Sequence, residues 1–129
     1  MRAARVTQVL ALVDRFVYDL GRLIAGETVD LAEYVDAACV ERLRGAVQPA
    51  LRAGTATRPD FGEYAQVRIE GDLLDVSHPV LTVVEFEDRS TRLDADGFAA
   101  VHLRRRVRLR LLLDNSLSRV IDHRIELAS

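Results

Sequence analysis

One stretch towards the C-terminal end of the chain, residues 102–110, alternates basic and apolar side chains almost without a break. Because successive side chains of a β-strand point to opposite faces, the alternation predicts a strand with one basic and one apolar face. Only Arg105 interrupts the apolar row, which consists of Val101, Leu103, Val107, Leu109, Leu111 and Leu113. Such a row must be covered, so the stretch predicts a sheet that packs on helices.

Two segments before the strands have the spacing of amphipathic helices. Apolar residues recur at helical intervals over residues 6–24, and Gly26 is a typical C-terminal stop. A second helix is predicted from about residue 31, and Pro49 should end or kink it because proline lacks the backbone N–H that a helix interior needs. These two helices are the expected cover of the sheet.

After a predicted loop at residues 54–62, the apolar period changes to two. Strands are predicted at about residues 67–73, 80–87, 99–113 and 119–127, with residues 88–97 as a connecting loop. The simplest arrangement is a single α+β domain over residues 1–129, in which two N-terminal helices pack on a curved antiparallel sheet of about four strands.

The polar face of this sheet offers partners for its arginines. A three-residue loop, Asn115–Leu117, would set Leu111 opposite Ile121 and Arg110 opposite Asp122. The expected result is a solvated face of cross-strand ion pairs. The alternative is a surface for an anionic or protein partner, formed by Arg104, Arg106, Arg108 and Arg110.

Composition weighs against several function classes. The 18 basic residues are all arginine, 20 residues are acidic, and the net charge of −2 argues against a general polyanion binder. No aromatic side chains interleave with the arginines, so nucleic acid is not an expected partner. Cys39, the only cysteine, is expected to be a buried, inert thiol and points to a cytoplasmic location. No cofactor motif and no apolar run long enough to insert in a membrane are recognised, and no metal site is predicted.

Two polar residues, His123 and Arg105, are expected on the apolar face of the sheet, where burial without a partner is costly. In a pocket between sheet and helices, His123 could move a proton and Arg105 could hold a carboxylate or stabilise an enolate. Tyr18 and Tyr34 could donate phenolic hydrogen bonds to a ligand, with Asp14 orienting them. The alternative is a histidine satisfied by a backbone carbonyl and an arginine whose head reaches solvent.

Asp122 precedes His123 directly, but consecutive strand residues point to opposite faces. The two side chains are therefore not expected to act together as an acid–base pair.

The two helices, followed by strands that close with Arg-Leu-Arg-Leu-Leu-Leu-Asp, a turn and Arg-Val-Ile-Asp-His-Arg-Ile-Glu, resemble the NTF2-like superfamily. The resemblance includes the polyketide-cyclase-like (SnoaL-like) and Tim44-like branches of that superfamily. The resemblance implies a cone in which a curved sheet wraps around helices. The tryptophan that often begins the last strand in this family is missing, and Arg92-Leu93-Asp94 is similar to an Arg-x-Asp sequence of its hydrolases.

The resemblance implies two alternative functions. One is a noncatalytic binding or interaction module, homodimeric, for a small apolar molecule or a protein partner. The other is a cyclase- or isomerase-type enzyme for a small apolar carbonyl compound, with His123 as acid/base and Arg105 as stabiliser. Neither function requires a cofactor.

Overall fold

The structure, a computed structural model, describes residues 2–128 and has the expected α+β class. Helix α1 spans Arg2–Ile24, a 3₁₀ turn spans Leu31–Glu33, and helix α2 spans Ala37–Arg52. The strands that follow are β1 (Thr57–Arg58), β2 (Phe61–Glu70), β3 (Val80–Asp88), β4 (Thr91–Leu93), β5 (Ala99–His102), β6 (Arg105–Leu113) and β7 (Val120–Leu127). The helices therefore precede all the strands, as the change of period indicates.

The main sheet has the strand order β2-β3-β6-β7, and each pair of adjacent strands is antiparallel. This confirms the prediction of a four-stranded antiparallel sheet combined with two N-terminal helices. A smaller sheet of order β1-β4-β5 was not predicted. Its strands β1 and β4 have only two and three residues, too few for an apolar period of two to be recognised, and they lie in segments predicted as loops.

The predicted strand at residues 99–113 is in fact two strands that belong to different sheets. His102 closes β5 and lies opposite Thr91, whereas Arg105 opens β6 and lies opposite Asp88. The link between them is Leu103 and Arg104. Because this link has two residues, the alternation continues in phase across the break, which therefore does not show as a change of period.

The register of the last hairpin differs from the predicted one by two residues. Arg108 lies opposite Glu126, and Arg110 lies opposite Arg124 rather than Asp122. A longer turn accounts for one residue, because the backbone N–H of Asp114 donates to the carbonyl of Arg119 instead of closing a three-residue loop. An irregularity between Leu112 and Leu113, which skips Ile121, accounts for the other. A shift of two keeps the side chains from Asp122 to Leu127 on their expected faces. Val120, before the irregularity, lies opposite Leu113 and is fully buried in the core.

Helix α2 begins later than expected because the preceding residues pair with β7. The carbonyl of Tyr34 accepts from Val120 N–H at 2.8 Å, and Asp36 N–H donates to the carbonyl of Val120 at 2.9 Å. This parallel bridge removes Tyr34–Asp36 from the helix. Pro49 lies inside α2, which continues to Arg52.

The core lies between α1, α2 and the concave face of the main sheet. Its members include Val13, Phe16, Leu43, Phe86, Leu109, Leu111 and Leu113. Helix α1 ends as predicted, because Gly26 has a φ of 89° and the bonds Gly26 N–H to Leu23 and Glu27 N–H to Arg22 close a Schellman motif. Neither α1 nor α2 has the length and apolarity needed to span a bilayer, and these are the α-helices of residues 2–128.

Candidate functional site

A cleft opens where the C-terminal parts of α1 and α2 face the end of the main sheet. Its volume is about 390 Å³, which is within the range of small-molecule sites. The walls are Ile24, Ala46, Val47, Ala50, Leu51, Thr55, Thr57, Asp88, Arg92, Leu103 and Arg105. The cleft thus lies at the meeting point of both helices and both sheets.

A smaller apolar recess of about 150 Å³ adjoins the cleft. The two volumes share Ile24, Ala46, Val47, Asp88 and Arg105. The recess adds Leu20, Leu43, Phe61, Phe86, Val107 and Ile125. Its walls are apolar side chains apart from one ion pair. The recess should therefore bind apolar groups in preference to polar ones.

The ion pair at the boundary of cleft and recess is Arg105 with Asp88. The two residues lie directly opposite each other on β6 and β3, and Arg105 Nε donates to the Asp88 carboxylate at 3.1 Å. Asp88 is buried and also accepts from the backbone N–H of Ser90 at 3.0 Å. A guanidinium carries five N–H donors. The bond through Nε therefore orients Arg105 and leaves its Nη donors for a ligand.

Arg105 occupies the inner row of β6, as its position in the alternation predicts, but it is not enclosed. Its side chain is 41% exposed. Arg105 lines both the cleft and the recess, and its exposure agrees with the alternative of an arginine that reaches solvent.

Arg92, on β4, is a second arginine at the cleft. It is exposed and belongs to none of the ion pairs found among residues 2–128. From the sequence, Arg92 is expected only as part of Arg92-Leu93-Asp94 in a connecting loop. Asp94 of that motif instead accepts the backbone N–H groups of Asp96 and Phe98, both at 2.9 Å, and so shapes a turn.

His123 lies at the other end of the sheet. It is opposite Leu111 on β6, six residues from Arg105 along that strand, which corresponds to about 20 Å. The structure therefore does not bring the two predicted catalytic residues together on one small substrate.

The neighbours of His123 include a thiol. Its Nδ1 is 2.9 Å from Cys39 Sγ on α2, and its ring centroid is 5.9 Å from that of Phe16. Burial lowers the pKa of His123, and burial raises the pKa of the Cys39 thiol to about 11. At neutral pH the pair is a thiol and a neutral imidazole, in agreement with the predicted buried, inert cysteine.

Asp122 is expected to face away from His123, but one ligand atom of each side chain lies within 4.8 Å of the other, and no hydrogen bond joins the two side chains among the described residues. Its carboxylate accepts from the His123 backbone N–H at 2.8 Å and from the Arg42 guanidinium. The hydrogen bond from Arg42 lowers the pKa of Asp122. Because β7 is an edge strand, the exposed side chain can bend around the edge towards α2.

The three predicted ligand-binding residues are not at one site. Tyr34 is 2% exposed and donates to the buried Asp19 at 2.7 Å, so it belongs to the core. Asp14 accepts from Tyr64 at 2.6 Å rather than orienting the predicted tyrosines. Tyr18 is 68% exposed. Asp14 and Tyr18 share a separate open groove on α1 beside Pro59 and Phe61.

The row of arginines on the outer face is paired with carboxylates. Arg108 Nε donates to Glu85 at 2.8 Å, and Arg110 Nε donates to Glu126 at 2.9 Å. Arg106 lies 4.0 Å from Glu85. Arg104, in the link between the sheets, is 85% exposed and 3.3 Å from Glu87. These contacts favour the solvated ion-pair interpretation over a surface with unpaired positive charge.

Scans of the chain against models of known protein families and against curated proteins found no match.

Proposed function

We propose that the chain is a noncatalytic binding domain whose cleft holds a small, mainly apolar molecule with one acidic group. The observation that carries the proposal is the position of Arg105. Its guanidinium is oriented by Asp88 at the boundary between a polar mouth and an apolar recess. A ligand carboxylate would bind the Nη groups while its hydrocarbon part fills the recess.

The charges of the mouth favour an anion. Asp88 balances one of the two arginines that line the cleft, and Arg92 supplies a further positive charge with no carboxylate partner among residues 2–128. Hydrogen bonds to charged groups are worth about 1.5–3 kcal/mol. The arginines would fix the orientation of the ligand, and burial of its apolar part, at about 25 cal/mol per Å², would supply the rest of the affinity.

The resemblance to the NTF2-like superfamily agrees with this position, because a cone of sheet and helices implies a ligand site on the concave face. We include in the proposal a homodimer and a cytoplasmic location, which rest on that resemblance and on the lone cysteine. Light scattering of the purified protein measures the mass in solution and tests the dimer.

The separation of His123 from Arg105, about 20 Å along the sheet, supports binding rather than the cyclase or isomerase alternative. That alternative needs the base and the stabilising cation on the same substrate. Beside His123 the interior is filled by Phe16, which is fully buried and whose ring centroid lies 5.9 Å from that of the histidine.

The first test is the binding of anilinonaphthalene sulfonate, a fluorescent apolar anion, followed by competition with decanoate or decanol. We expect decanoate to displace the probe more strongly than decanol, because only the acid can bind the arginines. Arg105→Gln and Arg92→Gln should each weaken decanoate binding about tenfold. Arg106→Gln, on the outer face, is the matched control and should leave the affinity unchanged.

A second pair of variants tests the place of binding without touching a charge. Ala46 is exposed and lines both cleft and recess, so Ala46→Leu should block binding. Gly45→Leu adds the same bulk one residue away, where an added Cβ meets nothing within 4 Å, and should bind as the wild type does. Equal displacement by acid and alcohol, or full binding by Ala46→Leu, would contradict the proposal.

A further inference from the structure

Three potential metal ligands meet at the edge of the sheet opposite the cleft. They are Cys39 on α2 and the neighbouring residues Asp122 and His123 on β7. One ligand atom of each lies within 4.8 Å of the others. The cluster combines a sulfur, a nitrogen and an oxygen from α2 and β7, and the backbone bond from Asp36, the residue before α2, to Val120 holds the start of the helix on the strand.

We propose that Cys39, His123 and Asp122 form a binding site for a divalent transition-metal ion of the Zn²⁺ type. Thiolate, imidazole and carboxylate are the ligands of this ion, and three protein ligands with one open position are a common Zn²⁺ arrangement. This proposal is independent of the ligand proposed for the cleft, which lies at the other end of β6.

The spacing of the cluster suits a tetrahedral ion after small side-chain movements. With bond lengths of about 2.0–2.3 Å, the ligand atoms of tetrahedral Zn²⁺ lie about 3.3–3.6 Å apart. Cys39 Sγ and His123 Nδ1, at 2.9 Å, would separate by roughly half an ångström. A carboxylate oxygen of Asp122, now within 4.8 Å of the other two ligand atoms, would move closer to them by rotation of the side chain. On binding, the thiol proton leaves to solvent and the sulfur coordinates as thiolate.

Arg42 is the group that competes with the metal. It lies one turn after Cys39 on α2, and its guanidinium binds the Asp122 carboxylate. The arginine both occupies one ligand and places a positive charge beside the site, so its removal should favour a cation. A cluster that serves only as a thiol–imidazole hydrogen bond and a surface ion pair predicts no such gain.

The decisive experiment is a Co²⁺ titration of the full chain under reducing conditions, followed by visible and near-ultraviolet absorption. We expect one equivalent of Co²⁺ to give tetrahedral d–d bands with a thiolate-to-cobalt charge-transfer band, and Zn²⁺ to abolish both. Cys39→Ser should remove the charge-transfer band. His123→Ala and Asp122→Asn should weaken binding about tenfold or more, whereas His78→Ala, at an exposed turn, should have no effect.

Arg42→Ala tests the proposal without altering a ligand. It should tighten Co²⁺ binding roughly three- to tenfold, and Arg52→Ala, which removes the same charge further along α2, should not. The proposal is overturned if wild type and Arg42→Ala both lack the charge-transfer band, if the band persists in Cys39→Ser, or if Arg42→Ala binds no more tightly than Arg52→Ala.

Discussion

The two ends of the concave face differ in what covers them, although β6 runs through both. At the end that contains Leu111 and Leu113, these inner side chains are fully buried in the same core as Phe16 and Tyr34, and we call it the closed end. At the end that contains Arg105, the strand borders the cleft, and we call it the open end.

The difference is caused by the helices rather than by the strand. At the closed end, Tyr34–Asp36 is joined to β7 through Val120, which brings large side chains down onto the sheet. At the open end, α2 presents Ala46 and Ala50, whose single methyl groups leave space over Arg105. An apolar strand row therefore becomes core or binding site according to the size of the residues opposite it.

The largest effect should come from truncating one leucine at each end. Leu111→Ala removes a fully buried side chain from the closed end, and we expect it to lower the free energy of unfolding by about 3–5 kcal/mol. Leu20 borders the recess of the open end, where part of the space is already empty. Leu20→Ala should therefore lower the free energy of unfolding by only about 2 kcal/mol. Urea unfolding measures both. Equal losses would mean that the recess is not open in solution.

A smaller effect is expected from the buried hydrogen bond of the closed end. Tyr34→Phe removes the donor to the buried Asp19 carboxylate and should lower the free energy of unfolding by about 1.5–3 kcal/mol. Burial raises the pKa of Tyr34, so the phenol remains a donor at ordinary pH. Tyr64→Phe, which removes a similar bond to Asp14 nearer the surface, is the control and should cost less than about 1 kcal/mol. A larger loss from the control would contradict the ranking of the two bonds.

Much of the fold could be predicted because the spacing of apolar residues along the sequence indicates which face of a helix or strand is buried. The alternation in β6 predicts which side chains enter the core, and the even register shift of the last hairpin preserves that result. The patterns fail where short elements or long-range pairing decide. The two-residue β1 has no period, and the bridge of Tyr34–Asp36 to Val120 depends on residues far apart in the chain.

The sites were less predictable for the same reason. Arg105 was recognised because it breaks an apolar row, but Ala46 carries no signal until a helix is placed above that row. Cys39 and His123 are 84 positions apart, and only the packing of α2 against β7 brings them to 2.9 Å. Arg92 lies on β4, a three-residue strand too short to show a period. The sequence therefore does not indicate that Arg92 lies at the cleft.

The smallest effect on stability is expected from a substitution on the outer face of the main sheet. Side chains there line neither end of the concave face, so this face is a reference for both. Glu126 accepts from Arg110 at 2.9 Å and lies 3.6 Å from Arg108, and the bond from Arg110 lowers its pKa. A carboxyl with a lowered folded-state pKa stabilises the fold above its unfolded pKa of about 4.3, and this contribution disappears as the pH falls through the folded value.

The melting temperature of Glu126→Gln should therefore lie slightly below that of the wild type at about pH 7, and the two should converge towards about pH 3. Added salt should also reduce the difference, because the pairs are exposed to solvent. Glu41→Gln, which removes an exposed carboxyl outside the ion pairs found among residues 2–128, controls for net charge. If Glu126→Gln lowers the melting temperature at neutral pH as much as Tyr34→Phe does, the ion pairs of the outer face are not weak. The outer face could then not serve as the reference for the two ends.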